Sequence, residues 1–385
     1  MVNLDWLPDR HLEAVATLAH VDETVEAISL LAQDCQTNRA DVLRLEERVR
    51  DGQNHLVVSS VLPIPPKVSR LTADALLDLR SVLEHVVFAE VQHSLGRTLS
   101  EQEARRISVP VHVEEQKFTE WSRGKRKQGY KVLGPGAYLS RRIYQLQPFH
   151  RGLQADRHPL KMLAALTNPA KHRAPVVLAV GVPTLIRHDL PVADSRIDRR
   201  GGCRPVEPGE VLLSTAIGQV VPLDLFPTLL INVPGADAWL PLANLLRDLV
   251  DWVRKVAVPM LVTGTAPQTP QIPARYEITE SVTNMREAIA RGTQTTADTA
   301  GRRRLGGMTA RRDLAELLAA MPDAPSLASA LAWLESLSDA EVLQKTEELR
   351  PTADRDPVVV AANYAALERM RDQALAFARD ARTDA

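Results

Sequence analysis

At 385 residues the chain exceeds the usual size of one hydrophobic core, so two domains are expected. A composition of 45% hydrophobic and 25% charged residues is that of an ordinary globular protein, and the low aromatic content of 4% requires a core built from Leu, Val and Ala. The most apolar window, residues 238–262, is interrupted by Arg247, Asp248, Asp251, Arg254 and Lys255, which excludes a simple membrane span there.

Taken in chain order, residues 9–51 read as helix, with Leu12, Val15, Leu18, Val25, Ile28, Leu31, Val42, Leu45 and Val49 at helical spacings. His55–Ile64 is β-branched and closes on prolines, so it reads as a strand and turn. Thr72 is the expected N-cap of a helix running to about Gly96, with Leu76, Leu79, Leu83, Val86, Val87 and Val91 as its buried stripe. Ile107–Val113 alternates like an edge strand. Short helices are expected near 114–123 and 137–146, joined by a basic loop over 123–129. A further helix is expected to start at Pro159 and end at Asn168-Pro169. Residues 175–186, 210–217 and 220–233 look like strands of a small antiparallel sheet, 195–202 like a polar loop, and 238–262 like an amphipathic helix covering that sheet. Residues 265–276 have the Pro/Thr/Gln composition of a linker. Helices are expected beyond it over 277–291, 309–320, 325–336, 338–349 and 357–381, with Gly301–Gly307 as a flexible break. The expected fold is therefore α+β: a mixed domain over 1–264, a linker over 265–276 and an all-helical domain over 277–385.

Positive charge is concentrated in one place. Residues 117–204 hold 18 Lys and Arg against 5 Asp and Glu, whereas the whole chain holds 47 against 48. Phe118, Trp121, Tyr130, Tyr138, Tyr144 and Phe149 lie in the same segment. Cations neutralise phosphates and flat rings stack on bases, so this mixture suits a nucleic acid, RNA or DNA. Lys125, Arg126 and Lys127 are the expected backbone contacts, with Trp121 and Tyr130 as stacking platforms. Lys171, His172 and Arg173 form a second candidate, a phosphate clamp past a helix end. The other reading of the segment is a solvated face paired with the acids found elsewhere. Trp121 and Phe118, three residues apart, are equally placed to be core anchors.

No phosphate-binding glycine loop, dinucleotide fingerprint, hydrolase elbow or H-E-x-x-H pair is present, and no cofactor is expected. Glu90-Val-Gln-His93 has the spacing of one half of a di-iron carboxylate site, but a second copy is missing and no metal is expected. Cys35 and Cys203 lack metal-ligand spacing, and without a disulfide framework a reducing cytoplasm is the expected compartment. The first residues lack a basic region followed by an apolar run, so no signal peptide is expected.

Arg80-Ser-Val-Leu-Glu-His85 resembles the R-x4–6-H motif of HEPN-type helical ribonucleases. The layout Leu79–His85, Gln147-Pro148-Phe149 and Asn168–Arg173 is similar to LRS-x-L-x-H, QP-aromatic and N-x-x-KHR segments in a group of bacterial proteins with no assigned activity. The HEPN resemblance implies metal-independent RNA cleavage in a toxin or phage-defence setting. His85 would carry the proton, Arg80 would hold the phosphorane charge, and a homodimer would complete the cleft. Residues five apart differ by about 140° around a helix, so Arg80 and His85 do not share a face of one regular helix. The plain alternative is an Arg80–Glu84 ion pair. A competing function is a non-enzymatic scaffold that recruits a protein partner through Leu314, Leu317, Leu318, Leu327, Leu331, Leu334 and Leu337 of the C-terminal helices.

Overall fold

A 30-residue helix, α2 (Pro66–Leu95), organises the first part of the chain in the computed structural model. The structure describes residues 2–37, 42–172, 176–190, 196–198, 203–235, 238–276, 284–350 and 356–383. Pro66 occupies the first helical position of α2, where a missing amide hydrogen costs nothing, and Gly96 ends it at φ 64°. The helix thus begins before Thr72, which lies buried inside it. Leu76, Leu79, Leu83, Val86, Val87 and Val91 are buried as their spacing predicts. Against α2 pack α1 (Leu12–Thr37), α6 (Pro159–His172), and the pair α7 (Leu242–Trp252) and α8 (Val258–Thr263). A π turn, Val253–Ala257, separates α7 from α8 and lies just before Pro259, which cannot donate to the helical ladder. Between α2 and α6 the chain forms α3 (Glu101–Ala104), α4 (Glu115–Lys127) and α5 (Tyr138–Gln145).

Nine strands form three antiparallel three-stranded sheets among the described residues. β1 (Leu43–Arg50) pairs with β2 (Gln53–Val61), and β2 pairs with β6 (Val211–Ala216). β3 (Leu178–Gly181), β8 (Thr228–Val233) and β9 (Ala238–Pro241) form the second sheet, in the order β3-β8-β9. β4 (Thr184–Arg187) lies between β5 (Arg196–Asp198) and β7 (Leu223–Leu225) in the third.

Several expectations change. The helix expected to reach residue 51 is described as far as Thr37, residues 38–41 lie outside the described residues, and β1 takes 43–50. Asp51 and Gly52 both have positive φ, 51° and 73°, which makes a tight hairpin and commits both flanks to strands. Residues 107–113 form no strand. Pro169 does not end α6, which continues to His172, and β5 and β9 occupy parts of the expected loop and helix.

The chain divides into two compact units, Met1–Asp298 and Thr299–Ala385, later than the 265–276 linker expected from composition. Ile272, Ala274 and Tyr276 are buried in the first unit, and Arg275 donates to the buried Asp22 at 2.7 Å. α9 (Met285–Ala290) also belongs to this unit. The second unit is helical, containing most of α10 (Ala297–Ala319), then α11 (Leu327–Glu335), α12 (Asp339–Glu347) and α13 (Pro357–Thr383) around Leu314, Leu318, Trp333, Leu334 and Met370. The glycine-rich 301–307 stretch is not a break but lies within α10. A Cβ on Gly307 would stand 2.7 Å from the Asp339 carboxylate, so the glycine permits close approach of α12. Among the described residues, no helix is long and apolar enough to cross a membrane.

Candidate nucleic-acid interface

The basic segment is built on α4 and α5. α4 continues past Gly124, so Lys125, Arg126 and Lys127 form its last turn rather than a loop, where cations oppose the negative end of the helix dipole. The chain turns at Gly129, at φ 92°, and reaches α5 through a short turn, Lys131–Leu133.

Some cations in the segment have partners. Arg142 lies 4.0 Å from Glu90, Arg187 pairs with Asp189 at 2.6 Å, and Arg204 pairs with Glu210 at 2.5 Å. By contrast, Lys117, Arg123, Arg126, Lys127, Lys131, Arg141, Arg151 and Arg157 are exposed, and among the described residues they form no ion pair with a carboxylate. Lys125 is half-buried. Its ammonium donates to the Arg106 carbonyl and stands 6.0 Å from the Trp121 ring centre, while burial and the Arg106 charge push its pKa down.

The aromatics make one continuous group. Phe118, buried, lies 5.3 Å from Trp121, 5.5 Å from Tyr144 and 6.3 Å from Phe149 between ring centres. Tyr144 and Phe149 are 5.2 Å apart, and His150 closes the series at 4.5 Å from Phe149. Trp121, Tyr144 and Phe149 are partly exposed. Trp121 packs on Phe118, as the core reading expects, and remains partly exposed. Tyr130 is 3% exposed, its hydroxyl donates to the Glu103 carbonyl at 3.3 Å, and it is core rather than a stacking platform.

Between α4 and α5 lies a cleft of about 170 Å³ lined by Phe118, Thr119, Ser122, Pro135, Gly136, Ser140, Arg141 and Tyr144. Each helix contributes residues at positions i, i+1 and i+4, which share one face. The small Ser122 and Ser140 meet at 3.0 Å between hydroxyl oxygens.

Arg80 and His85 are not brought together. Arg80 is 9% exposed; it pairs with Glu84 at 2.7 Å and donates to the Val109 carbonyl at 2.6 Å. Glu84 accepts the Val109 amide at 2.7 Å. His85 lies on the exposed face of the same helix. Gln147 performs the same service two residues on, donating to the Pro110 carbonyl and accepting the His112 amide, each at 3.0 Å. Side chains thus satisfy the backbone of the extended 109–112 segment in place of a neighbouring strand. Arg80 and Gln147, two of the residues that carried the resemblance, act with Glu84 as clamps on this segment. Of the second candidate cluster, Lys171 and His172 end α6 but their side chains, like Arg173 entirely, lie outside the described residues.

A polar cluster not anticipated as such surrounds Glu90. This buried carboxylate accepts from Arg10 at 2.6 Å, from His11 at 2.8 Å and from Tyr138 at 2.9 Å. Burial works to raise its pKa, but the hydrogen bonds from His11, Arg10 and Tyr138, with the Arg10 charge, outweigh it and hold the carboxyl down to about 2. His93 is exposed, so Glu90 and His93 do not act as a ligand pair. Among the described residues, no group of His, Cys, Asp and Glu is placed to hold a metal ion. The only hint in the sequence was a carboxylate within the apolar stripe of α2.

No protein-family model, curated protein or solved structure matches the chain.

Proposed function

We propose that the chain binds single-stranded nucleic acid through the α4–α5 face. The observation that carries the reading is the coincidence of unpaired cations with an open aromatic group. Elsewhere in the first unit Arg10, Arg80 and Arg275 have carboxylate partners. On this face Lys117, Arg123, Arg126, Lys127, Lys131 and Arg141 have none among the described residues. Unpaired cations on a rigid helix end attract phosphates, and partly exposed rings beside them supply stacking that tolerates any base.

The proposal is for binding rather than cleavage. The HEPN resemblance would require Arg80 to face a phosphorane, whereas its guanidinium is buried against Glu84 and Val109. A direct test is fluorescence anisotropy of a labelled single-stranded oligonucleotide at low salt, comparing wild type with Trp121→Ala. Stacking on an exposed aromatic contributes about 1–3 kcal/mol, so the variant should bind at least fivefold more weakly. Absence of binding by wild type would overturn the reading. Attention would then pass to protein recruitment by the second unit, where Leu305, Leu314, Leu317, Leu343 and Leu349 line a groove of about 630 Å³.

A further inference from the structure

We infer that the cleft between α4 and α5 takes one nucleobase that carries an exocyclic amino group, such as cytosine, in preference to uracil or thymine. This rests on the nucleic-acid reading above and adds a base preference to it.

The argument follows the hydroxyl hydrogens. Four of the lining residues carry hydroxyl groups: Thr119, Ser122, Ser140 and Tyr144. Thr119 donates to the Glu115 carbonyl at 3.2 Å, and Ser122 donates to the Leu133 carbonyl at 2.8 Å. A hydroxyl has one hydrogen, so the 3.0 Å contact between Ser122 and Ser140 must be donated by Ser140. Tyr144 donates to the Glu115 carboxylate at 2.7 Å. All four hydrogens are therefore committed within the protein, and what these oxygens present to an occupant is lone pairs. Ser140, 3% exposed, accepts no hydrogen bond among the described residues. Arg141 is the one lining side chain that donates.

A wall of acceptors suits a donor. An ammonium group would also satisfy it, and the Glu115 carboxylate stands beside Tyr144, but Arg141 in the lining favours an occupant that carries a phosphate. A neutral planar ring joined to a phosphate fits both features: its amino group donates to Ser140 and Thr119, and its phosphate lies against Arg141. Phe118 and Tyr144 supply flat apolar contact for the ring. Uracil presents a carbonyl oxygen where cytosine presents an amino group, and that oxygen would face lone pairs with no hydrogen between them.

The test compares short homopolymers of deoxycytidine and deoxyuridine, the same in shape and charge, by anisotropy at pH 7.5 and low salt. Wild type should bind deoxycytidine about fivefold more tightly, the effect of one net hydrogen bond. Ser140→Ala, with Thr119 still accepting, should lower that ratio without weakening the deoxyuridine complex. Should that variant fail to fold, Thr119→Val removes the neighbouring acceptor at similar volume and should lower the same ratio. Equal binding of the two homopolymers by wild type, or an unchanged preference in a folded Ser140→Ala, would overturn the base site while the basic interface stands. Binding of neither homopolymer would instead overturn the interface itself.

Discussion

Replacing Arg80 with alanine separates a structural from a catalytic reading of α2. The substitution removes a charged hydrogen bond to the Val109 carbonyl and leaves the half-buried Glu84 carboxylate without its 2.7 Å partner. A buried hydrogen bond to a charged group is worth about 1.5–3 kcal/mol. Breaking a fully buried pair costs about 3–5 kcal/mol, and the partial exposure of Glu84 places this case at the lower end, about 3 kcal/mol in total. In a unit the size of Met1–Asp298, that corresponds to a fall in Tm of about 6 °C. Glu84→Gln should cost less, because the amide oxygen still accepts from Val109 while the charge is lost. The two substitutions together should cost less than their sum, since they share one interaction. His85→Ala, on the exposed face, should lie within about 0.5 kcal/mol of wild type. The assay is differential scanning fluorimetry of wild type and the four variants beside cleavage of labelled RNA in excess EDTA. An Arg80→Ala protein that melts with wild type yet loses a metal-independent nuclease activity would refute the clamp.

Two further predictions concern acid and one concerns the second unit. His158 is 7% exposed, and its Nδ1 accepts the Leu160 amide at the start of α6. Burial, then the charges of Arg151 and His150, push its pKa down to about 4 from 6.5. The unfolded chain therefore binds the proton first, so this contribution is lost as pH falls from about 6.5 towards 4, amounting to about 2 kcal/mol between pH 7.5 and 5. His158→Asn keeps an acceptor for the helix start and should flatten the Tm profile over that window; an unaltered profile would count against the assignment. Glu90 adds a second acid-labile step. Its folded pKa of about 2 lies below the unfolded value of 4.5, so its stabilisation of about 3 kcal/mol is present above pH 4.5 and lost as pH falls towards 2. Glu90→Gln should remove that step from an acid-unfolding curve. In the second unit, Gly307→Val would drive a side chain into Asp339 and Arg311, so the melting of that unit should shift down while oligonucleotide binding by the first unit holds.

How far the sequence reveals this arrangement depends on the range of the interaction. The stripe from Leu76 to Val91 was legible because helical period and burial coincide over many turns. The α+β class and its helical end were legible from such patterns, but the strands expected in one small antiparallel sheet are divided among three. β1 was not, because Val42, Leu45 and Val49 satisfy a helical spacing, and only the Asp51-Gly52 turn distinguishes the alternatives. The glycines at 306 and 307 read as a break because their use, admitting α12, belongs to tertiary contact. Residues 265–276 have a linker's composition, yet Ile272 and Tyr276 are buried, a fact no local pattern carries. At the candidate interface the charge and aromatic pooling were visible from composition alone, but Tyr130 proved to be core. The acceptor-lined cleft was beyond sequence reasoning because it depends on which hydroxyl donates to which oxygen across two helices.

The central claim is tested most directly by the salt dependence of single-strand binding, measured for wild type and for a protein carrying Arg126→Gln, Lys127→Gln and Lys131→Gln. If about six phosphates are neutralised, log K should fall with log salt concentration at a slope of about −4 for wild type and about −2 for the triple variant. A slope that the three substitutions leave unchanged, or no binding even at about 50 mM salt, would contradict the account.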